Sequence, residues 1–326
     1  MVQLKYIKRV VLALSNSPVY GGGQAQLEGV MFGGKEHTVT AIRRNDDSID
    51  YYHFKKVQKP LLQKLKKIPF VRGVVALIES AGLGSRHMQF AGGDRYDVTP
   101  GGEEEDHKEE GSKLQMILGV AVVGILSFLF GKFAFTLIPV FIADFFSKWI
   151  EGKTGQILLE SGIKLLLLLA YLYFISLTPL IKRVFQYHGA EHKVINCYEA
   201  GLDITVKNVQ AQSRLHYRCG SSFILFTVFV GMFLYFFVPT DPLWLRILDR
   251  ILLIPVVLGI SFEVLQATNA CRNIPVLRFL GYPGLWLQLL TTREPKDDQV
   301  EVAIASFNML RQVEQQPEIA ATLNHD

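Results

Sequence analysis

The apolar residues of this chain are bunched into runs. Leu114 to Gly131 (LQMILGVAVVGILSFLFG) carries no charge. It has roughly the length of a bilayer crossing, about 20 residues. Leu165 to Ile181 (LLLLLAYLYFISLTPLI) and Gly220 to Pro239 (GSSFILFTVFVGMFLYFFVP) repeat the pattern. So does Ile247 to Thr268 (ILDRILLIPVVLGISFEVLQAT), with Asp249 and Arg250 near one end and Glu263 near the other. The second run extends back through Ile157, where Glu160 and Lys164 stand four apart and can pair on one helical face. The pattern predicts four transmembrane helices. Two further segments are apolar but interrupted. Phe133 to Ile150 contains Pro139 and ends in aromatics and Lys148, so it continues the first span or lies along the interface. Ile68 to Leu83 (IPFVRGVVALIESAGL) contains Arg72 and Glu79 and reads as an interfacial or re-entrant helix.

Elsewhere the period changes. Ser17 to Gly23 (SPVYGGG) reads as a glycine-rich turn. His37 to Ile42 (HTVTAI) alternates as a half-buried strand, Asn45 to Ser48 is a turn, and Ile49 to Phe54 is a second strand. A basic run from Lys55 to Lys67 follows, either a solvated face or a surface drawn to anionic lipid. Ala91 to Ser112, with GGEEEDHKEEG, has the composition of a flexible linker. In the tail, Tyr282 and Trp286 of YPGLWLQLL suit an interfacial anchor. Asp297 to Gln312 predicts an amphipathic helix capped by Asp297 or Asp298. Its apolar face is Val300, Val302, Ala303, Ile304, Phe307 and Leu310. That face requires a partner, expected from another cytoplasmic piece of the chain.

The predicted fold class is an α-helical polytopic membrane protein with about four transmembrane helices and a small α+β cytoplasmic region. Residues 1–90 form a β-containing module with an interfacial helix, and 91–113 an acidic flexible linker. Residues 114–181 are a first transmembrane hairpin, 182–219 a His/Cys loop, 220–268 a second hairpin, and 269–326 a tail with the amphipathic helix. Charge sets the orientation. Of 34 basic residues, 17 precede the first span, through Lys113. The hairpin tips are poor in Lys and Arg, so both termini and the 182–219 loop are expected on the cytoplasmic side. Val10 to Leu14 is too short for the apolar core of a signal peptide.

Composition agrees with a membrane chain: 49% hydrophobic, 20% charged, mean hydropathy +0.24. These values exclude a disordered chain. A net charge of +4 over 326 residues gives no support to nucleic-acid binding. The expected partners are the lipid bilayer and a membrane-protein partner or a second copy of the chain, with no nucleic acid. Cys197, Cys219 and Cys271 are too few for a disulfide framework, and all three fall on the predicted reducing side.

The candidate chemistry lies in the middle loop, YHGAEHKVINCYEAG from Tyr187 to Gly201. A helix from about Gly189 to Glu199, closed by Gly201, fits the pattern. His188 and His192 are four apart and share a helical face. Two imidazoles so placed can hold one divalent metal, zinc among those that accept imidazole, thiolate or carboxylate, and Glu191 beside them can serve as general base. Glu199 stands roughly 10 Å further along the axis, too far for the same ion. A third ligand must come from elsewhere. SRLHYRCG brings His216 and Cys219 three apart, and Glu28 and Glu79 are further acidic candidates. Cys219 also reads as a buried apolar cysteine at a helix end. Glu263 either pairs with a basic residue or lines a polar cavity.

Six ordered motifs resemble the YqhQ-like family of bacterial multipass membrane proteins. They are GGQAQLEGVM at Gly22 to Met31, RGVVALIES at Arg72 to Ser80, HGAEHKVINCYE at His188 to Glu199, SRLHYRCGSSF at Ser213 to Phe223, GISFE at Gly259 to Glu263, and LTTREPKDDQVEVAIA at Leu290 to Ala305. The resemblance departs at Met31 to Gly34, where the family usually carries a basic residue, and at Tyr217, where it usually has proline. It implies a multipass protein of the bacterial cell membrane. The label of metal-dependent enzyme attached to the family rests on the same histidine motif. Three functions stay open on the sequence: a metal-dependent hydrolase at the inner membrane face, a non-catalytic scaffold or assembly factor for a translocase, protease or envelope complex, and a transporter.

Overall fold

A computed structural model describes residues 22–56, 60–96, 131, 134–272, 274–316 and 318–319. The expected span up to Phe130, and the acidic linker from residue 97 on, fall outside them. The chain is mostly helical with one small antiparallel sheet. It divides into two compact units. The first takes the described parts of residues 1–97, 172–227 and 258–326; the second takes those of 98–171 and 228–257.

In the first unit, β1 (Gly22–Gln26), β2 (Gly29–Gly33), β3 (His37–Arg43) and β4 (Ile49–Lys55) form a meander in sequential order. The alternation over 37–54 appears as β3 and β4, paired from Arg43↔Ile49 to His37↔Lys55. Of the turn expected over Ser17 to Gly23, residues 17–21 lie outside the described residues, and Gly22 and Gly23 open β1. The stretch after it, for which the pattern predicts no element, completes β1 and supplies β2. Its glycines allow close packing: a Cβ at Gly29 would lie 2.2 Å from the Ala41 carbonyl oxygen. Pairing of Val30 with Ala41 and Phe32 with Val39 puts these four on one face. Helix α5 (Pro179–Glu199) and helix α11 (Asp297–Gln315) cover that face. Tyr187, Ala190 and Val194 meet Val300, Val302, Ala303, Phe307 and Leu310 there, all fully or almost fully buried. The expected apolar face of the tail helix thus packs on the sheet and on α5. Its first turn is capped by Gln299, whose Oε1 accepts from Lys296 N at 3.0 Å. Asp297 does not cap it; its Oδ1 accepts from Gln210 Nε2.

The other sheet face carries Thr38 and Thr40 and meets α2 (Val71–Tyr96), which follows the short α1 (Pro60–Leu65). His87 on α2 bonds both hydroxyls, Nε2 to Thr38 Oγ1 at 3.0 Å and Nδ1 to Thr40 Oγ1 at 2.7 Å. Phe90 stacks on Tyr52. These contacts draw the helix well past Leu83, into what composition assigned to the linker. Arg72 chelates Glu263, with Nε to Oε1 at 2.7 Å, so that carboxylate has a basic partner.

The second unit contains helix α3 (Ala134–Phe145) and most of α4 (Lys153–Ile175), together with α8 (Leu243–Leu252). It also takes the C-terminal part of α7 (Gly220–Tyr235) and the start of α9 (Ile254–Ala270). Glu160 is buried and bonds across to α8. It accepts from Arg246 Nη2 at 2.8 Å and Arg250 Nε at 2.8 Å, and Arg250 lies over the Tyr235 ring. The run from Ile247 to Thr268 is not one straight helix: α8 and α9 meet at a 49° bend. Pro255, lacking an N–H and crowding the preceding turn, accounts for the break. Among the described residues one helix, α4, is long and apolar enough to cross a membrane, or two if the bent pair is one span. Helices α3 and α7 are apolar but shorter. Remaining elements are α6 (Val206–Gln210), a 3-10 turn (Leu277–Gly281) and α10 (Tyr282–Thr291).

Candidate metal centre

Helix α5 runs for 21 residues, beginning ten before the expected start, with Pro179 in its first turn. Proline there forfeits only an N–H that has no helical partner. The helix ends where Gly201 takes the left-handed conformation, φ 70°. Its 3.6-residue period puts His188, Glu191 and His192 along one cavity wall. Cys219 stands just ahead of α7, within reach of the same point. One ligand atom each from His188, His192 and Cys219 falls within 4.8 Å of the other two. His188 Nε2 and Cys219 Sγ are 3.2 Å apart. Tetrahedral zinc with Zn–N about 2.0 Å and Zn–S about 2.3 Å wants an N–S separation of about 3.5 Å.

The surrounding shell orients these groups. His188 Nδ1 donates to the Thr291 carbonyl at 2.8 Å, and His192 Nδ1 to the Arg214 carbonyl at 2.6 Å. A carbonyl only accepts, so each Nδ1 carries a proton and each Nε2, once unprotonated, is the atom that could bind a metal. Ser221 N donates to Cys219 Sγ at 3.4 Å, as suits a thiolate. Against the cost of burial, the neighbouring His188 and His192 hold the Cys219 thiol well below its ordinary value. Burial likewise opposes charge on His188, but the pairing with Cys219 raises it to about 9. Imidazolium and thiolate therefore share one proton where a cation would sit, and metal binding would release it.

Glu191 is buried. Its Oε1 accepts from Gly23 N at 3.1 Å. A Cβ at Gly23 would come within 2.8 Å of the Glu191 carboxyl carbon, so that position needs glycine for the close approach. Burial raises the Glu191 carboxyl, with His188 and His192 acting in the opposite direction.

The other sequence candidates separate from this group. The His216 ring lies 5.9 Å from that of His192, and its Nε2 faces Glu199 at 3.5 Å. Gln288 clamps its backbone, Oε1 accepting from His216 N and Nε2 donating to His216 O, both at 2.8 Å. Glu199 also holds Arg218 and Arg272. Against burial, the His216 hydrogen bond and these guanidinium charges bring it down to about 2. Glu28 pairs with Arg183, and Glu79 with Lys66. Sequence reasoning missed the supporting residues: Gln288, and the carbonyls of Thr291 and Arg214. Backbone acceptors leave no trace in side-chain patterns. The segment LTTRE nonetheless supplies a carbonyl at each of three successive residues. Thr291 O serves His188, Thr292 O serves Arg214, and Arg293 O abuts Gly189.

A cavity of about 670 Å³ opens beside the group. His188, Glu191, His192 and Cys219 line it, with Lys56 and Arg218 as cations and Leu77, Leu83, Phe262 and Leu265 as apolar wall. Three side chains that could hold a metal ion border this open space.

The uncharacterized protein YqhQ of Bacillus subtilis (strain 168) is 63% identical over 299 residues, covering 91% of this chain and 93% of that protein. No solved structure is similar to this chain. Residues 68–313 match the family described as protein of unknown function, DUF1385, a stretch that includes the histidine helix, Cys219 and the LTTRE segment. With most of its length so matched, the chain belongs to the DUF1385 family.

Proposed function

We propose that the protein is a metal-dependent hydrolase of the bacterial cell membrane, acting at its cytoplasmic face. The observation that carries the activity is the convergence of His188, His192 and Cys219 around one point, with Glu191 beside them and a cavity in front. A divalent ion held there, zinc by the donor set, supplies Lewis acidity to the bond under attack. Glu191 takes a proton from the attacking water as its oxygen bonds the electrophilic carbon or phosphorus, and returns that proton to the leaving group. Its raised affinity for protons, in a buried setting, suits both halves of that exchange.

The membrane setting draws support from the second unit, whose polarity is inverted. Glu160, Arg246 and Arg250 are 1–2% exposed, while Leu166, Trp244 and Phe237 are 65–72% exposed. Charges satisfied inside and apolar side chains outside are what hydrocarbon solvent demands. The four-span topology with both termini cytoplasmic is part of the same proposal.

Elemental analysis of the full chain, purified in detergent without chelator, should give one metal per chain, and His188→Ala with His192→Ala should remove it. A metal-free wild type would defeat the hydrolase reading and leave the scaffold. Both termini should be inaccessible to protease in right-side-out vesicles; cleavage there would overturn the orientation.

A further inference from the structure

The cavity beside the metal group is lined by both apolar and charged side chains. One wall is Leu77 and Leu83 of α2 with Phe262 and Leu265 of α9. The last two stand on an apolar helix that begins with Ile254. The charged part of the lining is biased toward positive charge, Lys56 and Arg218 against one carboxylate, Glu191. Arg218 is committed to Glu199. Lys56 gives one hydrogen bond to the Gly34 carbonyl at 2.6 Å, and an ammonium has three donors to give. A volume of about 670 Å³ lies in the range that encloses a small ligand. A water-soluble polar substrate would leave the leucine and phenylalanine wall without a partner. A neutral lipid would leave the ammonium's remaining donors, beyond the Gly34 carbonyl, unused by the ligand, although Glu314 and Glu79 also act on its charge.

We propose that this cavity binds an anionic single-chain amphiphile, its apolar chain along Leu77, Phe262 and Leu265 and its anionic group on Lys56. The inference rests on the hydrolase reading for its chemistry, since it makes this amphiphile the substrate class. As a binding site it stands on the cavity alone.

The test uses the full chain in phosphatidylcholine nanodiscs and a dodecyl phosphate bearing a terminal diazirine. After irradiation, cross-links are mapped by peptide mass spectrometry. Labelling should concentrate in residues 76–83 and 262–265. Unlabelled dodecyl phosphate should compete about tenfold better than dodecanol or inorganic phosphate, tenfold being about 1.4 kcal/mol. Lys56→Gln should erase the advantage over dodecanol, and Leu77→Trp should suppress labelling by filling the wall. Equal competition by dodecanol overturns the anionic part. Labelling spread along the outward faces of the helices overturns the site itself. If His188→Ala with His192→Ala keeps the specific labelling while wild type lacks metal, the hydrolase reading fails and the amphiphile site stands. Metal without specific labelling overturns the amphiphile site and leaves the hydrolase reading standing.

Discussion

Gly189 sits inside helix α5, next to His188, where helix propensity and packing make opposite predictions. Alanine in place of a mid-helix glycine ordinarily stabilises by about 0.5–1 kcal/mol, because it restricts the unfolded chain. Here a Cβ would lie 2.1 Å from the Arg293 carbonyl oxygen and 3.4 Å from Pro295 Cδ. Arg293 cannot easily withdraw, since its N–H donates to Phe185 O at 2.8 Å on the same helix. Forcing the segment outward is overpacking, which costs about 1–3 kcal/mol. Gly189→Ala should therefore be destabilising by about 1–2 kcal/mol net. The displaced segment also carries Thr291 O, which orients His188. Losing such an outer partner weakens metal binding about 10–100-fold. Thermal unfolding in detergent measures the first effect, and chelator competition for zinc the second. The stability half holds whether or not a metal binds. A Gly189→Ala chain more stable than wild type, with unchanged zinc affinity, would refute the reasoning.

Three further outcomes follow from buried polar groups. His87 is fully buried between two threonines, and burial lowers it from 6.5 to about 4. Its folded value is the lower one, so stability is intact above about pH 6.5 and declines as pH falls toward 4, by about 3 kcal/mol in total. Unfolding curves at pH 7 and pH 5 should differ far less in His87→Gln than in wild type. Glu160→Gln leaves two buried guanidinium groups without a counter-charge and should cost about 3–5 kcal/mol, read as a large drop in melting temperature. A drop worth under about 1 kcal/mol would mean those charges are hydrated. Gln288→Leu orphans both the N–H and the carbonyl of His216, each worth about 1–3 kcal/mol when buried. It should be destabilising, while Gln288→Glu, which keeps an acceptor for the N–H, should lose less.

The histidine pair was legible because its signal is local. A spacing of four puts two side chains on one helical face wherever that helix is placed. The paired strands from His37 to Lys55 were legible for the same reason, through alternation. The choice between His216 and Cys219 was not. Both lie in one short segment, and what separates them is Gln288 and Glu199, residues 72 and 17 positions away from His216 along the chain. β1 and β2 carry no clear alternation, and their glycines Gly23 and Gly29 serve close packing against Glu191 and Ala41, which only the fold reveals. The partners of Glu160 on α8, Arg246 and Arg250, stand 86 and 90 positions away, and no local spacing pointed to them.

Periodicity and spacing sufficed for the helical character, the apolar runs, the amphipathic tail helix and the two imidazoles, because each depends on neighbours within a turn or two. The docking of that tail on the sheet, the bend at Pro255, the carbonyls that fix both histidine tautomers and the thiolate that completes the group required the folded chain. They are contacts between segments far apart in sequence, and only close packing decides which of several chemically suitable partners ends up within hydrogen-bonding distance.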